Sequence, residues 1–210
     1  MTERKRSILL LIFGAIFLLC AAALYSLQLQ RDRLAGEAAA ALVSALKSGR
    51  CTVQTEPAQP TAAEPAQEEP EKPASPTPQE PIALTPDGYE MLGILKIEAL
   101  SIELPVLAKW SYELLDISPC RYSGTVAGGN LVILGHSYDS HFRPLRQAEA
   151  GMEVELTDAA GFLHRYRVAE VETVAGSDGD ALPSAYPLTL FTCTSDSRHR
   201  VLVRCEAVGQ

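Results

Sequence analysis

The feature that most constrains this chain is a stretch of 24 residues without a charged side chain, from Ser7 to Gln30. Its central part, Ile8–Leu27, consists almost entirely of Leu, Ile, Phe and Ala. Twenty residues of α-helix rise about 30 Å, which matches the hydrocarbon core of a bilayer. The stretch therefore predicts a single membrane-spanning helix. A cleaved signal peptide is the alternative, because Ala21–Ala23 is a small-residue run of the kind at which such peptides are cut.

Basic residues lie on both sides of the predicted span. Arg4, Lys5 and Arg6 precede it, and Arg31 and Arg33 follow it. Because the span comes first in the chain and its N-terminal tail is short and strongly basic, we predict a cytoplasmic N-terminus. The rest of the chain is then expected outside the cytoplasm.

After the span, the composition of the chain changes twice. Residues 34–48 are rich in Ala and favour a helical stalk. Residues 51–86 contain nine of the 14 prolines, interleaved with Glu, Gln, Thr and Ala, a composition that favours extended chain. We therefore predict a tail and anchor at 1–30, a helical stalk at 31–50, a disordered Pro/Glu-rich spacer at 51–86 and a globular domain at 87–210. The spacer is expected to let the domain reach away from the membrane.

The charge distribution argues against a nucleic-acid partner. The formal net charge is −8, divided as +4 in residues 1–50, −5 in residues 51–86 and −7 in residues 87–210. Binding to nucleic acid requires a basic surface that displaces counterions from phosphates. The acidic globular part lacks the charge for that role.

The globular part has the pattern of an all-β domain. Its 124 residues are enough for one hydrophobic core. Short apolar stretches separated by glycines are typical of a sandwich or a closed barrel. The predicted strands are Met91–Ile97, Leu100–Val106, Leu131–Leu134, Met152–Thr157, two within Phe162–Val174, Leu188–Thr194 and Arg200–Val208. Short helices are predicted at Tyr112–Ile117 and Phe142–Ala148.

Three of the five cysteines lie in the globular part: Cys120, Cys193 and Cys205. An odd number outside the cytoplasm leaves at least one thiol unpaired, and the absence of a CxxC motif argues against a zinc site. Cys193 ends an apolar strand, and Arg200 opens the next strand seven residues later. If these strands form a hairpin, the cation faces the thiol, where it lowers the thiol pKa or supports an oxyanion.

A histidine that works with Cys193 has to come from elsewhere in the chain. His136 directly follows the strand Leu131–Leu134 and Gly135, at a strand end where a rigid scaffold positions catalytic side chains. Together with Arg200 it forms a set of nucleophile, acid–base group and electrostatic stabiliser. The competing histidines are His141, His164 and His199.

Several of these segments resemble the sortase family. Leu188–Cys193 followed by Arg200–Val203 resembles the TLxTC…R signature, and Asn130–Ser137 resembles the strand that carries the sortase histidine. Gly93–Ile97 with Ile102–Val106 resembles the opening strands of that domain. The order of these motifs agrees with the family, and the resemblance covers about Tyr89 to Val208. The details are most similar to class B-like or class D/E-type sortases of clostridia-like Gram-positive bacteria.

The resemblance implies a fold and a reaction. The fold is a closed β-barrel of about eight strands with one or two short helices, preceded by the single transmembrane helix. The reaction is transpeptidation: Cys193 attacks the Thr carbonyl of an LPxTG-like sorting signal and forms a thioester, His136 acts as acid and then as base, and Arg200 stabilises the oxyanion. An amine on peptidoglycan or on a pilin subunit captures the acyl group. Partners are therefore expected to be sorting-signal-bearing surface proteins or pilins.

Several secondary expectations accompany this assignment. Thr192 is expected to assist the oxyanion or the substrate, Asp139 is a candidate for orienting His136, and Arg198 is the rival of Arg200. Cys120 and Cys205 either form a disulfide or are two buried thiols. No cofactor is expected, although the acidic loop Ser177–Asp180 is a candidate for binding calcium.

Two other functions are compatible with the sequence. One is a non-catalytic, membrane-tethered β-barrel that serves as a binding module. The other is a different cell-wall cysteine transpeptidase, such as an L,D-transpeptidase, although the Ser-His-Gly-Cys type of run found in that family is absent around Cys193.

Overall fold

The computed structural model describes residues 3–55, 80–176, 185–194 and 196–209. Most of the predicted spacer, 56–79, and the acidic loop Ser177–Asp180 lie outside this part of the chain. The two α-helices are α1 (Glu3–Lys47) and α2 (Tyr112–Leu115), with 3-10 helices at Glu98–Leu100 and Arg143–Gln147. The ten strands are β1 (Thr52–Thr55), β2 (Pro81–Leu84), β3 (Glu90–Ile97), β4 (Ile102–Leu107), β5 (Cys120–Ser123), β6 (Leu131–Leu134), β7 (Glu153–Asp158), β8 (Leu163–Ala175), β9 (Leu188–Cys193) and β10 (His199–Ala207).

Eight of these strands close into a barrel in the order β3-β4-β5-β6-β9-β10-β8-β7, with β7 pairing back onto β3. Closure needs a close approach at Gly93, because a Cβ there would lie 2.1 Å from the Thr157 carbonyl oxygen. Two neighbouring pairs are parallel, β4 with β5 and β6 with β9, and the remaining pairs are antiparallel. The predicted closed barrel of about eight strands with one or two short helices is confirmed.

Alternation along the strands produces two apolar layers. Inward-facing residues such as Leu131, Ile133, Leu188 and Leu190 form the main core inside the barrel. On the outer face, Val132, Phe191 and Leu202 form a separate buried cluster across β6, β9 and β10. Because successive side chains of a strand point to opposite faces, the position of a residue in this alternation decides whether it faces the core or the outer surface.

The strand boundaries differ from the sequence predictions at a few points. The stretch 162–174 was predicted as two strands but is the single strand β8, which continues to Ala175. Strand β4 begins at Ile102 rather than Leu100, because a 3-10 turn ends at Ser101 with a left-handed backbone (φ 53°). Strand β5 was not predicted, since its sequence, Cys-Arg-Tyr-Ser, has little apolar pattern.

The predicted anchor and stalk form one continuous helix, α1, which contains the one candidate membrane span among the described residues. Beyond it, β1 pairs with β2, and β2 pairs with β3 of the barrel. The chain therefore enters and leaves 56–79 at adjacent points on the same sheet. This arrangement differs from the extended tether that the sequence predicts, because both ends of the Pro-rich segment are paired at one side of the barrel.

Candidate active site

The register of two parallel strands brings the predicted histidine and cysteine together. Leu134 of β6 lies beside Phe191 of β9, and the Gly135 N–H donates to the Phe191 carbonyl at 3.1 Å. His136 and Cys193 each follow two residues after this pair, and neighbouring strands lie about 4.8 Å apart. The register therefore carries both residues to the same end of the barrel, side by side.

The third predicted residue comes from the antiparallel neighbour of β9. Arg200 of β10 is the Cα partner of Cys193, and side chains of directly opposed residues project from the same face of a sheet. The Arg200 guanidinium carbon lies 5.8 Å from the centre of the Phe191 ring, which is part of the outer cluster. Cys193 and Arg200 are each partly exposed at this face. The register therefore brings His136, Cys193 and Arg200 to the same end of three neighbouring strands, with Cys193 and Arg200 on the outer face.

Two side chains that the sequence did not single out flank His136. The Asp116 carboxylate, just after α2, lies 3.4 Å from His136 Nε2, and the Tyr138 ring stacks on the imidazole with centroids 4.7 Å apart. The Tyr138 hydroxyl donates to the same Asp116 oxygen at 2.9 Å. Partial burial lowers the pKa of His136, and the Asp116 charge opposes that shift without reversing it. The imidazole is therefore mainly neutral at neutral pH.

The backbone around His136 is fixed by a glycine and an arginine. A Cβ on Gly135 would lie 2.5 Å from the Phe142 ring, so only glycine lets this buried ring pack against the strand end. One Arg146 nitrogen donates both to the Ser137 hydroxyl at 2.7 Å and to the Cys193 carbonyl at 3.1 Å. Arg146 therefore links the segment after His136 to the C-terminal end of β9. Nothing in the sequence spacing distinguishes this arginine from its neighbours.

A row of aromatic rings leads along the surface to the site. Trp110 lies 5.9 Å from Tyr112 and 5.5 Å from Tyr122, and Tyr122 meets Phe191 edge-on at 5.4 Å. Trp110, Tyr112 and Tyr122 are exposed, whereas Phe191 is buried beneath them next to the cysteine end of β9. The row therefore forms an apolar surface that continues to the end of β9, where Cys193 lies.

The remaining candidates occupy other positions. Thr192 alternates with Cys193 on β9, so its fully buried side chain faces the interior, and its hydroxyl lacks a hydrogen-bond partner among the described residues. That hydroxyl is directed away from the edge where Cys193 lies. The Asp139 carboxylate pairs with Arg143 at 2.9 Å instead of facing His136, and Asp116 occupies the place expected for it. Arg198 is exposed in the hairpin turn, two residues before the partner of Cys193.

The other cysteines and histidines are accounted for by packing or ion pairs. Cys120 and Cys205 are free and belong to different core clusters, and burial raises the pKa of each thiol to about 12. His164 Nε2 lies 3.0 Å from Asp158, and His199 is the exposed first residue of β10. Within the described ranges, no group of three or more His, Cys, Asp or Glu side chains is placed to hold a metal ion.

Comparison with known families agrees with this geometry. The family model of the Sortase domain matches residues 95–208, more than half of the chain. The chain belongs to the sortase family. The matched range contains His136, Cys193 and Arg200, at the ends of β6, β9 and β10.

Solved sortase structures share the fold of this sortase. A Clostridium perfringens sortase D5 transpeptidase is 19% identical, with a TM-score of 0.51, and the match covers 57% of this chain and 79% of that chain. A Clostridium perfringens sortase C, solved with a C-terminal cell wall sorting motif, is 22% identical (TM-score 0.51, covering 57% and 71%). Sortase A from Corynebacterium diphtheriae is 24% identical (TM-score 0.52, covering 58% and 62%). These neighbours, of classes D, C and A, show the sortase fold of this chain. No curated protein matches this sortase by sequence.

In the segment that follows His136, His141 is buried between this segment and α1. Only 1% of its surface is exposed, and neither ring nitrogen has a hydrogen-bond partner among the described residues. Burial and the nearby His136 together lower the pKa of His141 to about 4, against the opposing effect of the Asp32 charge. The ring is therefore neutral in the folded protein.

The neutral state of His141 makes the stability of this sortase depend on pH. Because the folded pKa lies below the unfolded value, the unfolded chain binds the extra proton, and stability falls as the pH drops from 6.5 towards 4. A displacement of this size corresponds to roughly 3 kcal/mol over that window. Denaturant unfolding at several pH values should show this slope, and His141→Gln should make it much shallower, leaving the contribution of His136, whose pKa burial also lowers. The matched control, His199→Gln at the exposed start of β10, should keep the full slope. An equal slope in the wild type and in His141→Gln would contradict this origin of the pH dependence.

Proposed function

We propose that this sortase is a membrane-anchored cysteine transpeptidase that cleaves an LPxTG-like sorting signal after Thr and joins the protein to an amine on peptidoglycan or on a pilin subunit. The observation that carries the proposal is the parallel register of β6 and β9, which places His136 beside Cys193 with Arg200 opposite. Membership of the sortase family supports the same reaction class.

The proposed chemistry proceeds through one covalent intermediate. The Cys193 thiol first passes its proton to His136. The sulfur then attacks the Thr carbonyl carbon, and the carbonyl π electrons move onto oxygen, where Arg200 stabilises the negative charge. When the oxyanion collapses, the bond to the next residue's nitrogen breaks, and His136 donates its proton to that leaving amine. The incoming amine then attacks the thioester, loses its proton to His136 and releases the Cys193 thiolate, which takes this proton back to restore the thiol and the neutral imidazole. No metal or cofactor takes part in these steps; calcium binding at Ser177–Asp180 stays a prediction.

The surroundings of His136 suit this alternation of acid and base. Burial keeps the imidazole neutral at rest, so it is able to accept the thiol proton. Asp116, 3.4 Å from Nε2, stabilises the imidazolium that forms when the proton arrives. We assign Asp116 and Tyr138 a positioning role, because they hold the ring from one side by an ion contact and a stack.

The proposed location and substrate follow from two other features. Helix α1 is long and apolar enough to cross a bilayer, which supports a single-pass anchor with a cytoplasmic N-terminus and an extracellular catalytic domain. The aromatic row formed by Trp110, Tyr112 and Tyr122 supports an extended, apolar peptide beside the thiol. The sorting motif in the Clostridium perfringens sortase C structure agrees with this substrate class.

The direct test is to trap the acyl-enzyme. The full-length protein in detergent is incubated with a panel of labelled sorting-signal peptides, without an acceptor amine, and analysed by mass spectrometry. A mass increase equal to the peptide acyl group, mapped to Cys193, is expected with at least one peptide. If folded protein forms no adduct with any peptide, the non-catalytic binding module becomes the better assignment.

Arg200 and Arg198 form a matched pair for testing the oxyanion role. Replacing Arg200 by alanine is expected to lower kcat by about 10²- to 10³-fold, because the charge on the developing oxyanion is no longer balanced. Replacing the exposed Arg198, two residues away in the same hairpin, should leave kcat unchanged. Steady-state assays with the best peptide of the panel measure both values. Equal losses in the two variants would contradict the assignment of Arg200.

A further inference from the structure

Beyond residue 30, helix α1 turns one face onto the barrel. Residues 11–30 are exposed on all sides, whereas Ala35, Ala39, Leu42 and Val43 are buried. These four residues are spaced as one face of a helix, and two of them belong to core clusters of the barrel. The second half of α1 is therefore docked on the domain.

The membrane-proximal end of this docked stretch is hydrogen-bonded to the segment 137–142 that follows His136, which we call the catalytic loop. The Asp32 carboxylate accepts the backbone N–H groups of Asp139 at 3.1 Å and of Ser140 at 2.9 Å, together with the Ser140 hydroxyl. The helix approaches closely here, because a Cβ on Gly36 would lie only 3.0 Å from the Ser140 Cβ. Asp139 and Ser140 follow His136 by three and four residues. The anchor helix thus contacts the loop that carries the proposed acid–base group.

At the far end of the docked stretch, a second polar contact joins α1 to the barrel. Lys47 forms an ion pair with Glu103 of β4 at 2.5 Å. The 15 residues from Asp32 to Lys47 correspond to about 22 Å of helix, so the barrel lies along the helix over four turns. Of the two ends of this contact, the one at the catalytic loop is nearer to the predicted span.

The distance from the bilayer follows from helix geometry. Asp32 comes five residues after Leu27, the end of the predicted span, which is about 7.5 Å along the axis. The interfacial layer on each side of a bilayer is about 5–7 Å thick. Arg31 and Arg33 flank Asp32, are exposed, and carry the charge suited to lipid headgroups. The catalytic loop is therefore held at the level of the outer headgroup boundary.

We infer that α1 is a rigid mount: it holds the edge of the barrel that carries Cys193 and Arg200 at the bilayer surface. The length of the Pro/Glu-rich segment 56–79 then has no influence on the distance between the barrel and the bilayer. This inference rests on the proposed membrane anchoring and transpeptidase function. The pairing of β1 with β2 closes the chain on both sides of 56–79, so a change in the length of that segment leaves the distance from anchor to barrel unchanged. The mount favours a sorting signal held in the same bilayer over the same signal free in solution.

Two insertions of equal length separate the roles of the helix and of the Pro-rich segment. One places a 20-residue Gly/Ser linker between Gln30 and Arg31, which leaves the docked stretch intact but frees the barrel from the span. The other places the same linker within 56–79. Both full-length variants and the wild type are reconstituted in liposomes of one lipid composition. Each is assayed with a soluble sorting peptide and with that peptide fused to a membrane-spanning helix in the same liposomes.

The inference predicts a selective effect. The linker at 30/31 should lower turnover of the membrane-held substrate roughly tenfold, because the effective concentration at the surface falls, while turnover of the soluble peptide stays at the wild-type value. The linker within 56–79 should leave both rates unchanged. Unchanged turnover of the membrane-held substrate with the 30/31 linker, or a loss with the 56–79 linker, would overturn the inference. Absence of any wild-type turnover of the soluble peptide would instead count against the proposed function.

Discussion

Replacing Cys193 by alanine is expected to abolish the acyl-enzyme and to lower the transpeptidation rate by roughly 10⁴-fold or more. The reason is that the reaction is divided into two steps by a thioester, and no other thiol is placed to form it. Cys120 and Cys205 are buried with raised pKa values, so they are neither accessible nor ionised at neutral pH. The measurement is a quantitative assay of ligated product, together with mass spectrometry of the enzyme.

The control for this substitution is Cys51→Ala. Cys51 is a partly exposed free cysteine next to β1. Its replacement by alanine also removes one thiol from the chain, but far along the sequence from Cys193, His136 and Arg200. Its rate and its acyl-enzyme yield should equal those of the wild type. Ligation that persists in Cys193→Ala at a rate near the wild type would show that the nucleophile lies elsewhere.

Replacing His136 by glutamine is expected to lower kcat by about 10²- to 10⁴-fold, since no neighbouring group takes over proton transfer to the leaving amine. His141 is the nearest alternative imidazole in sequence, but it is buried with a pKa of about 4. The loss should therefore be greatest at the pH where the wild type is most active, and the low-pH limb of the wild-type profile should disappear. The pH dependence of kcat in both proteins measures this.

His199→Gln provides the matched control for His136. His199 is the exposed first residue of β10, next to Arg200, and its ring lies 3.9 Å from the Asp196 carboxylate. Its removal should preserve both the rate and the shape of the pH profile. If His199→Gln lost as much activity as His136→Gln, the acid–base role would belong to the hairpin turn.

The barrel and the three catalytic candidates could be predicted from the sequence because each depends on local information. Leu131–Leu134 is a short apolar run, and a short run bounded by glycine and asparagine has few options other than a buried strand. His136 then lies two residues beyond the end of β6, Cys193 is the last residue of β9, and Arg200 is the second residue of β10. The hydrophobic pattern determines where each strand ends, and it therefore also determines the position of the residues at or next to that end.

Other parts of the site depend on contacts between distant segments, which the sequence does not display. Asp139 is adjacent to His136 in sequence and was the natural candidate for orienting it, yet its carboxylate pairs with Arg143. Asp116, 20 residues earlier, reaches the imidazole because α2 packs beside the loop. Arg146 likewise bridges two strand ends only after the 3-10 helix at Arg143–Gln147 has folded against them.

The docking of α1 could not be predicted for a related reason. An Ala-rich stretch favours helix whether it lies free as a stalk or packs on a barrel, and small side chains give only a weak amphipathic signal. Ala35 and Ala39 are buried because the barrel surface and Ser140 approach them closely. The strands β1 and β2 were hidden in the same way, since a proline-rich composition surrounds both.

The central claim is that a thiol, an imidazole and a guanidinium meet at one edge of this barrel. The most direct measurement is a crystal structure of the protein covalently bound, through Cys193, to a sorting-signal peptide whose Thr carbonyl is replaced by a thiol-reactive group. The account predicts the Arg200 guanidinium within hydrogen-bond distance of the oxygen that mimics the oxyanion, and the His136 ring beside the position of the leaving amine. A bound peptide that places its reactive carbon out of reach of both side chains would contradict it.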